Sequence, residues 1–141
     1  MGAGVTSGYL LDTNHLSKAI RTGSVVQRRI AELRTGGFKI GVCVPVLYEI
    51  EAGIQQIKRP DQYRRDLESL LRQVRIWPID RLTARLYGEI HTDLKRHGRV
   101  LSQVDMMLAA LSRQMKVTLV TSDKDFAALP DVTTENWLAE S

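Results

Sequence analysis

The chain carries one cysteine, Cys43, so no intrachain disulfide can form, and its place in the apolar run Ile40-Gly41-Val42-Cys43-Val44 marks a buried, inert thiol. No apolar stretch approaches the roughly 20 residues that cross a bilayer. Residues 1–7 have neither the basic start nor the apolar run of a secretion signal, so the expected location is cytoplasmic, with no membrane partner. Histidine is scarce too. His91 and His97 are six apart, where helical metal pairs need three or four, and His15 can be read as a substrate contact or, more plainly, as an exposed residue in the first turn of a helix. Repeats, low-complexity tracts and linkers are missing, which leaves residues 1–141 as one domain with 1–7 as a flexible N-terminal extension.

What is present is ordinary in amount. A hydrophobic fraction of 43% and a charged fraction of 26% exclude a disordered or collagen-like chain. A chain of 141 residues closes one core without a structural metal. The net charge of +4 suits a polyanionic partner such as RNA without establishing one.

Periodicity predicts strands alternating with helices. Tyr9-Leu10-Leu11 is a strand that ends in the cap-forming Asp12-Thr13-Asn14. Helices follow over 16–20 and 25–33, stopping at Gly23 and at Gly36-Gly37. Residues 38–44 are the second strand. Pro45 suits helix position N1, and Leu47, Ile50, Ile54 and Ile57 carry that helix toward Arg59-Pro60. Tyr63 to Val74 is helical, 75–79 a short edge strand, and 82–94 a helix capped by Gly98. Val104 to Met115 is apolar around most of its circumference and should be buried. Val117 to Thr121 is a strand, 124–129 a short helix, and 132–134 a last strand. This alternation implies an α/β three-layer sandwich: a mostly parallel central sheet with helices on both faces, joined by right-handed crossovers.

Two of the strands deliver an acid just past their carboxyl ends, Asp12 and Asp123, at the edge where open α/β sheets bind ligands. Either alone is also accounted for as a helix cap. Glu49 lies beside the stripe Leu47, Ile50 and Ile54, where Gly53 leaves room for another backbone to approach. Asp105 opens the apolar helix, where a buried carboxylate would neutralise itself or find a cation, although a first-turn Asp also gains from the helix dipole. Four carboxylates brought together repel one another unless a cation joins them. Their hard oxygens suit Mg²⁺ or Mn²⁺, which can polarise a phosphoryl oxygen and lower the pKa of a water that then attacks phosphorus.

Spacing does not show that these acids meet; resemblance does. The segments Tyr9-Leu10-Leu11-Asp12-Thr13-Asn14, Tyr48 to Ile54, Asp105 to Ala110 and Leu119 to Phe126 are similar, in order, to the motifs of the PIN-domain ribonucleases, and in length and order to the VapC toxins. The similarity reaches Glu135-Asn136-Trp137. It implies a divalent-metal-dependent endoribonuclease that cuts RNA through a metal-activated water, usually a homodimer, held inactive by a VapB-like antitoxin. By position it implies Asp12, Glu49, Asp105 and Asp123 as catalytic, with Asp12, Asp105 and Asp123 as metal ligands and Thr121 as a supporting hydroxyl. Asp125 should point elsewhere, as a capping residue.

Other candidates remain outside this set. Lys95-Arg96-His97-Gly98-Arg99 can be read as a grip on RNA phosphates or as cations at a helix C-terminus. Trp77 and Trp137, flanked by apolar residues, favour packing over base stacking. A phosphatase of the haloacid-dehalogenase type needs an acid where Asn14 stands, and a receiver domain needs an acidic pair that is missing. A PIN-like binding module without catalysis is the remaining alternative, though all four acids are in place.

Overall fold

The computed structural model describes residues 6–138. The chain runs β1 (Gly8–Leu11), α1 (Thr13–Ile20), α2 (Val25–Thr35), β2 (Lys39–Cys43), α3 (Val44–Ile54), α4 (Pro60–Leu71), β3 (Arg75–Trp77), α5 (Arg81–Arg96), α6 (Gln103–Met115) and β4 (Thr118–Val120). A short 3-10 helix, Lys124–Ala128, and β5 (Thr134–Glu135) complete it. All neighbouring strands are parallel, in the order β3-β2-β1-β4-β5. β1 lies at the centre and is buried along its whole length, as its unbroken apolar sequence requires when helices cover both faces.

Right-handed crossovers from β1 to β2 and from β2 to β3 put α1 to α4 on one face. The return from β3 to β4 puts α5 and α6, which pack closely together, on the other. The chain thus leaves β1 toward one edge and β4 toward the opposite edge. Between these two strands lies the topological switch point, and the N–H of Asp12 closes it by donating to the Val120 carbonyl at 3.1 Å.

Several boundaries differ from those read in the sequence. α3 stops at Ile54 instead of running toward Arg59, because Gly53 weakens its last turn and the chain closes on itself through the Ile57 N–H to the Ile54 carbonyl. Pro60 is then the first residue of α4, where its missing N–H is harmless. Gly53 meets no neighbour; the close approaches are at Gly8, where a Cβ would lie 2.7 Å from the Lys39 carbonyl oxygen, and at Gly41, where it would lie 2.3 Å from the Trp77 ring. Trp77 and Trp137 are both core residues. α6 is buried from Leu108 to Ser112, but its first turn is only half-covered. The last strand is Thr134–Glu135, since Val132 is held back in a turn by its N–H bond to the Leu129 carbonyl.

Of the expected extension over 1–7, residues 1–5 lie outside the described residues, and the Ser7 carbonyl already accepts the Lys39 N–H at 3.2 Å. Cys43 is buried, and burial pushes its thiol above the ordinary range. Among the described residues no helix is long and apolar enough to cross a membrane.

Candidate active site

The carboxyl ends of the parallel strands, and the helix N-termini that face them, supply each acidic candidate. Asp12 follows β1 and caps α1, accepting the His15 backbone N–H on Oδ1 at 2.8 Å. Asp123 follows β4 and caps the 3-10 helix, accepting the Asp125 N–H at 2.8 Å. Both aspartates therefore do cap helices, as the sequence allowed, and capping leaves each carboxylate at the switch point. Glu49 sits in the second turn of α3, exposed, and Asp105 in the first turn of α6, half-buried. Ser102, not Asp105, caps α6: its hydroxyl accepts the Asp105 N–H at 3.1 Å.

The four acids lie at the same end of the sheet. The Asp105 carboxyl is raised above its ordinary range first by burial and then by the charges of Asp123, Asp12 and Glu49, against a hydrogen bond with Ser102 that favours ionisation. Among the described residues, none of the four has a Lys or Arg within ion-pairing distance. Nor do any three acidic, His or Cys side chains among them converge into a ready-made cage for an ion. The site is an open acidic crevice with uncompensated charge. Such a crevice fits Mg²⁺ or Mn²⁺ better than a fully caged ion, because Mg²⁺ keeps several waters and takes only one or two carboxylates directly.

The sequence profile of the PIN domain matches residues 9–132. The chain belongs to the PIN-domain family. Its relatives include ribonuclease VapC2 of Rickettsia felis, 28% identical over 92% of this chain and 97% of that protein. Another is the tRNA(fMet)-specific endonuclease VapC of Shigella flexneri, 25% identical over the same share of this chain and 97% of its own. Among solved structures, the crystal structure of Rickettsia felis VapBC2 bound to a DNA fragment from their promoter superposes with a TM-score of 0.83, at 27% identity over 92% of this chain and 98% of that one.

Within this PIN domain, Thr121 is buried and its hydroxyl accepts the Asp123 N–H at 3.1 Å, fixing the turn that presents Asp123. Asp125 points away to Arg99, at 3.4 Å. Lys95 and Arg96 sit in the last turn of α5, the placement expected for cations at a helix C-terminus, and His97 Nδ1 bonds the Asp93 carbonyl at 2.7 Å.

Two residues of the site escaped the sequence reading. The Thr13 hydroxyl donates to Glu49 Oε1, tying α1 to α3 across the crevice. His15, read as exposed, is fully buried at 0%. Its backbone starts the helix, but its ring turns inward beneath the C-terminal segment, where Trp137 covers it at 6.4 Å between ring centroids. The available signal was spacing: a residue three after an N-cap Asp lies in the same turn, within reach of that carboxylate.

Proposed function

We propose that this PIN domain is a VapC-type toxin, a divalent-metal-dependent endoribonuclease held in check by a VapB-like antitoxin. The observation that carries the reading is the acidic crevice at the switch point, with all four carboxylates present and no Lys or Arg among the described residues paired with them. The names of the relatives, ribonuclease VapC2 and an endonuclease VapC, support nuclease activity, and the VapBC2 complex supports an antitoxin partner.

Asp12, Asp105 and Asp123 are the residues that would hold Mg²⁺ or Mn²⁺, one or two of them directly and the rest through the ion's waters. Bound there, the ion supplies charge that polarises a phosphoryl oxygen, acidifies water and stabilises the leaving oxygen. Glu49, which accepts the Thr13 hydroxyl, would orient the attacking water and take up its proton. Thr121 would support the site by holding the backbone turn that carries Asp123. The carboxylates themselves repel RNA, so binding requires both the metal and the basic surface of a chain whose net charge is +4. A homodimer in the cytoplasm, bound by antitoxin, completes the reading.

The test is incubation of the purified chain with RNA in Mg²⁺ or Mn²⁺, with and without EDTA. Cleavage is expected only with free metal, rising with pH through neutrality. A cleavage that resists chelation overturns the metal mechanism. RNA binding without any cleavage supports a non-catalytic module instead.

A further inference from the structure

His15 is joined to the site from one side and to the end of the chain from the other. Its Nδ1 lies 2.9 Å from Asp12 Oδ1, and its Nε2 lies 3.1 Å from the backbone nitrogen of Trp137. A backbone N–H can only donate, so Nε2 is the acceptor, and the ring proton belongs on Nδ1, facing Asp12. Both His15 contacts, backbone and ring, fall on the same carboxylate oxygen. Among the described residues no hydrogen-bond partner falls on Oδ2. The carboxylate is clamped by one oxygen, and the other is left to the crevice.

Trp137 is itself anchored. Its indole N–H donates to Glu135 at 3.0 Å, its ring packs 5.5 Å from that of Tyr9 in β1, and the Arg29 guanidinium of α2 lies over it at 5.8 Å. The C-terminal segment is thus fastened where its N–H selects the tautomer of a buried ring.

We propose that His15 is a positioning residue for the metal site: the Trp137 N–H fixes its Nδ1–H tautomer, and that proton holds Asp12 with Oδ2 presented to the ion. The proposal rests on the metallonuclease reading above. It also gives Trp137, outside the four motifs, a part in the geometry of the site. Hydrogen-bond partners of metal ligands change metal affinity or activity by about 10–100-fold when removed, and a fully buried donor on a ligating carboxylate belongs to that class.

Long-range ¹H–¹⁵N correlation of the imidazole in the intact protein reads the tautomer directly, and Mn²⁺ titration followed by EPR reads affinity. The Nδ1–H form is expected; an Nε2–H ring overturns the relay. His15→Asn keeps an amide donor at the Nδ1 position, whereas His15→Phe fills the volume and removes the donor. His15→Phe should bind Mn²⁺ about 10–100-fold more weakly and, at saturating Mn²⁺, lose kcat with KM for RNA unchanged, and His15→Asn should recover most of the affinity. Wild-type affinity in His15→Phe, or no recovery in His15→Asn with both variants folded by circular dichroism, sinks the positioning role. If His15→Phe fails to fold, the tautomer and His15→Asn decide. A wild-type chain that takes up no Mn²⁺ overturns the metal reading itself, and the imidazole spectrum still separates that failure from a failure of the hydrogen-bond relay.

Discussion

Asp105 and Asp12 bring the same charge to one crevice under different constraints. Asp12 Oδ1 accepts two N–H donors from His15. Asp105 is desolvated and repelled by three other acids, so the folded chain holds its proton more tightly than the unfolded chain does. A raised carboxyl of this kind leaves stability untouched at low pH and lowers it as pH climbs from the ordinary carboxyl range through the raised value. Asp105→Asn should therefore melt higher than wild type near pH 7 in EDTA, with the gain fading toward pH 4. Equal melting temperatures at pH 7 would show that the repulsion is too well screened to matter. In Mn²⁺ the same variant should lose more activity than the roughly 100-fold that outer hydrogen-bond partners account for at metal sites. Thr13→Val frees Glu49 to swing away, and a drop of about tenfold in kcat is expected from a lost hydrogen bond worth roughly 1.5 kcal/mol. An unchanged kcat would make Thr13 merely a surface contact.

Helix ends and one strand contact carry much of the stability argument at the next scale. α5 begins with a capping box in which Asp80 and Thr83 satisfy each other's backbone N–H, and Gln114 from the far end of α6 donates to the same Asp80 carboxylate. Those bonds hold the Asp80 carboxyl below its ordinary range, the Thr83 N–H contributing most. Their contribution is complete above that range and declines as pH falls through it. Asp80→Ala should lower the melting temperature at pH 7 and narrow its gap from wild type under acid. α6 ends on Lys116 with φ at 58°, a left-handed conformation that disfavours a side chain. Lys116→Gly is expected to stabilise by up to about 1 kcal/mol, since relief of αL strain exceeds the added entropy of glycine. Gly41→Ala should do the reverse. Its methyl would push the Trp77 ring off β2, costing about 1–3 kcal/mol by overpacking, and denaturant titration would register any tolerance as an unchanged midpoint.

The molecule as a whole is a parallel sheet whose open end is acidic and whose net charge is positive. That asymmetry makes ligand binding visible as stability. Metal that binds only the folded chain should raise its stability by about 2.7 kcal/mol at a concentration 100 times its Kd, reversibly with EDTA. A melting temperature indifferent to Mn²⁺ would argue against occupancy of the crevice. An acidic crevice also attracts a guanidinium, because arginine pairs bidentately with carboxylates. Co-expression with the product of a neighbouring gene should yield a complex containing at least two copies of each chain, inactive on RNA and tolerated by cells. Harmless expression of this chain alone, with nothing co-purifying, would count against a toxin while leaving the nuclease standing.

The alternation of strands and helices, the parallel sheet and the edge position of β3 were legible in the amino-acid order, because each depends on short-range periodicity that burial converts directly into structure. The four acids were legible as a set only through their similarity to PIN motifs, since Asp12, Glu49, Asp105 and Asp123 are far apart along the chain. Their gathering follows from strand order: β1 and β4 become neighbours only when the chain crosses the sheet after β3. The end of α3 and the start of α4 were misjudged because Ile57 continues a helical rhythm that tertiary packing does not use. His15 shows the limit most clearly. Spacing puts its ring within reach of Asp12 but does not bury it; its burial was decided when Trp137, 122 residues later, folded over the ring and lent it a backbone N–H.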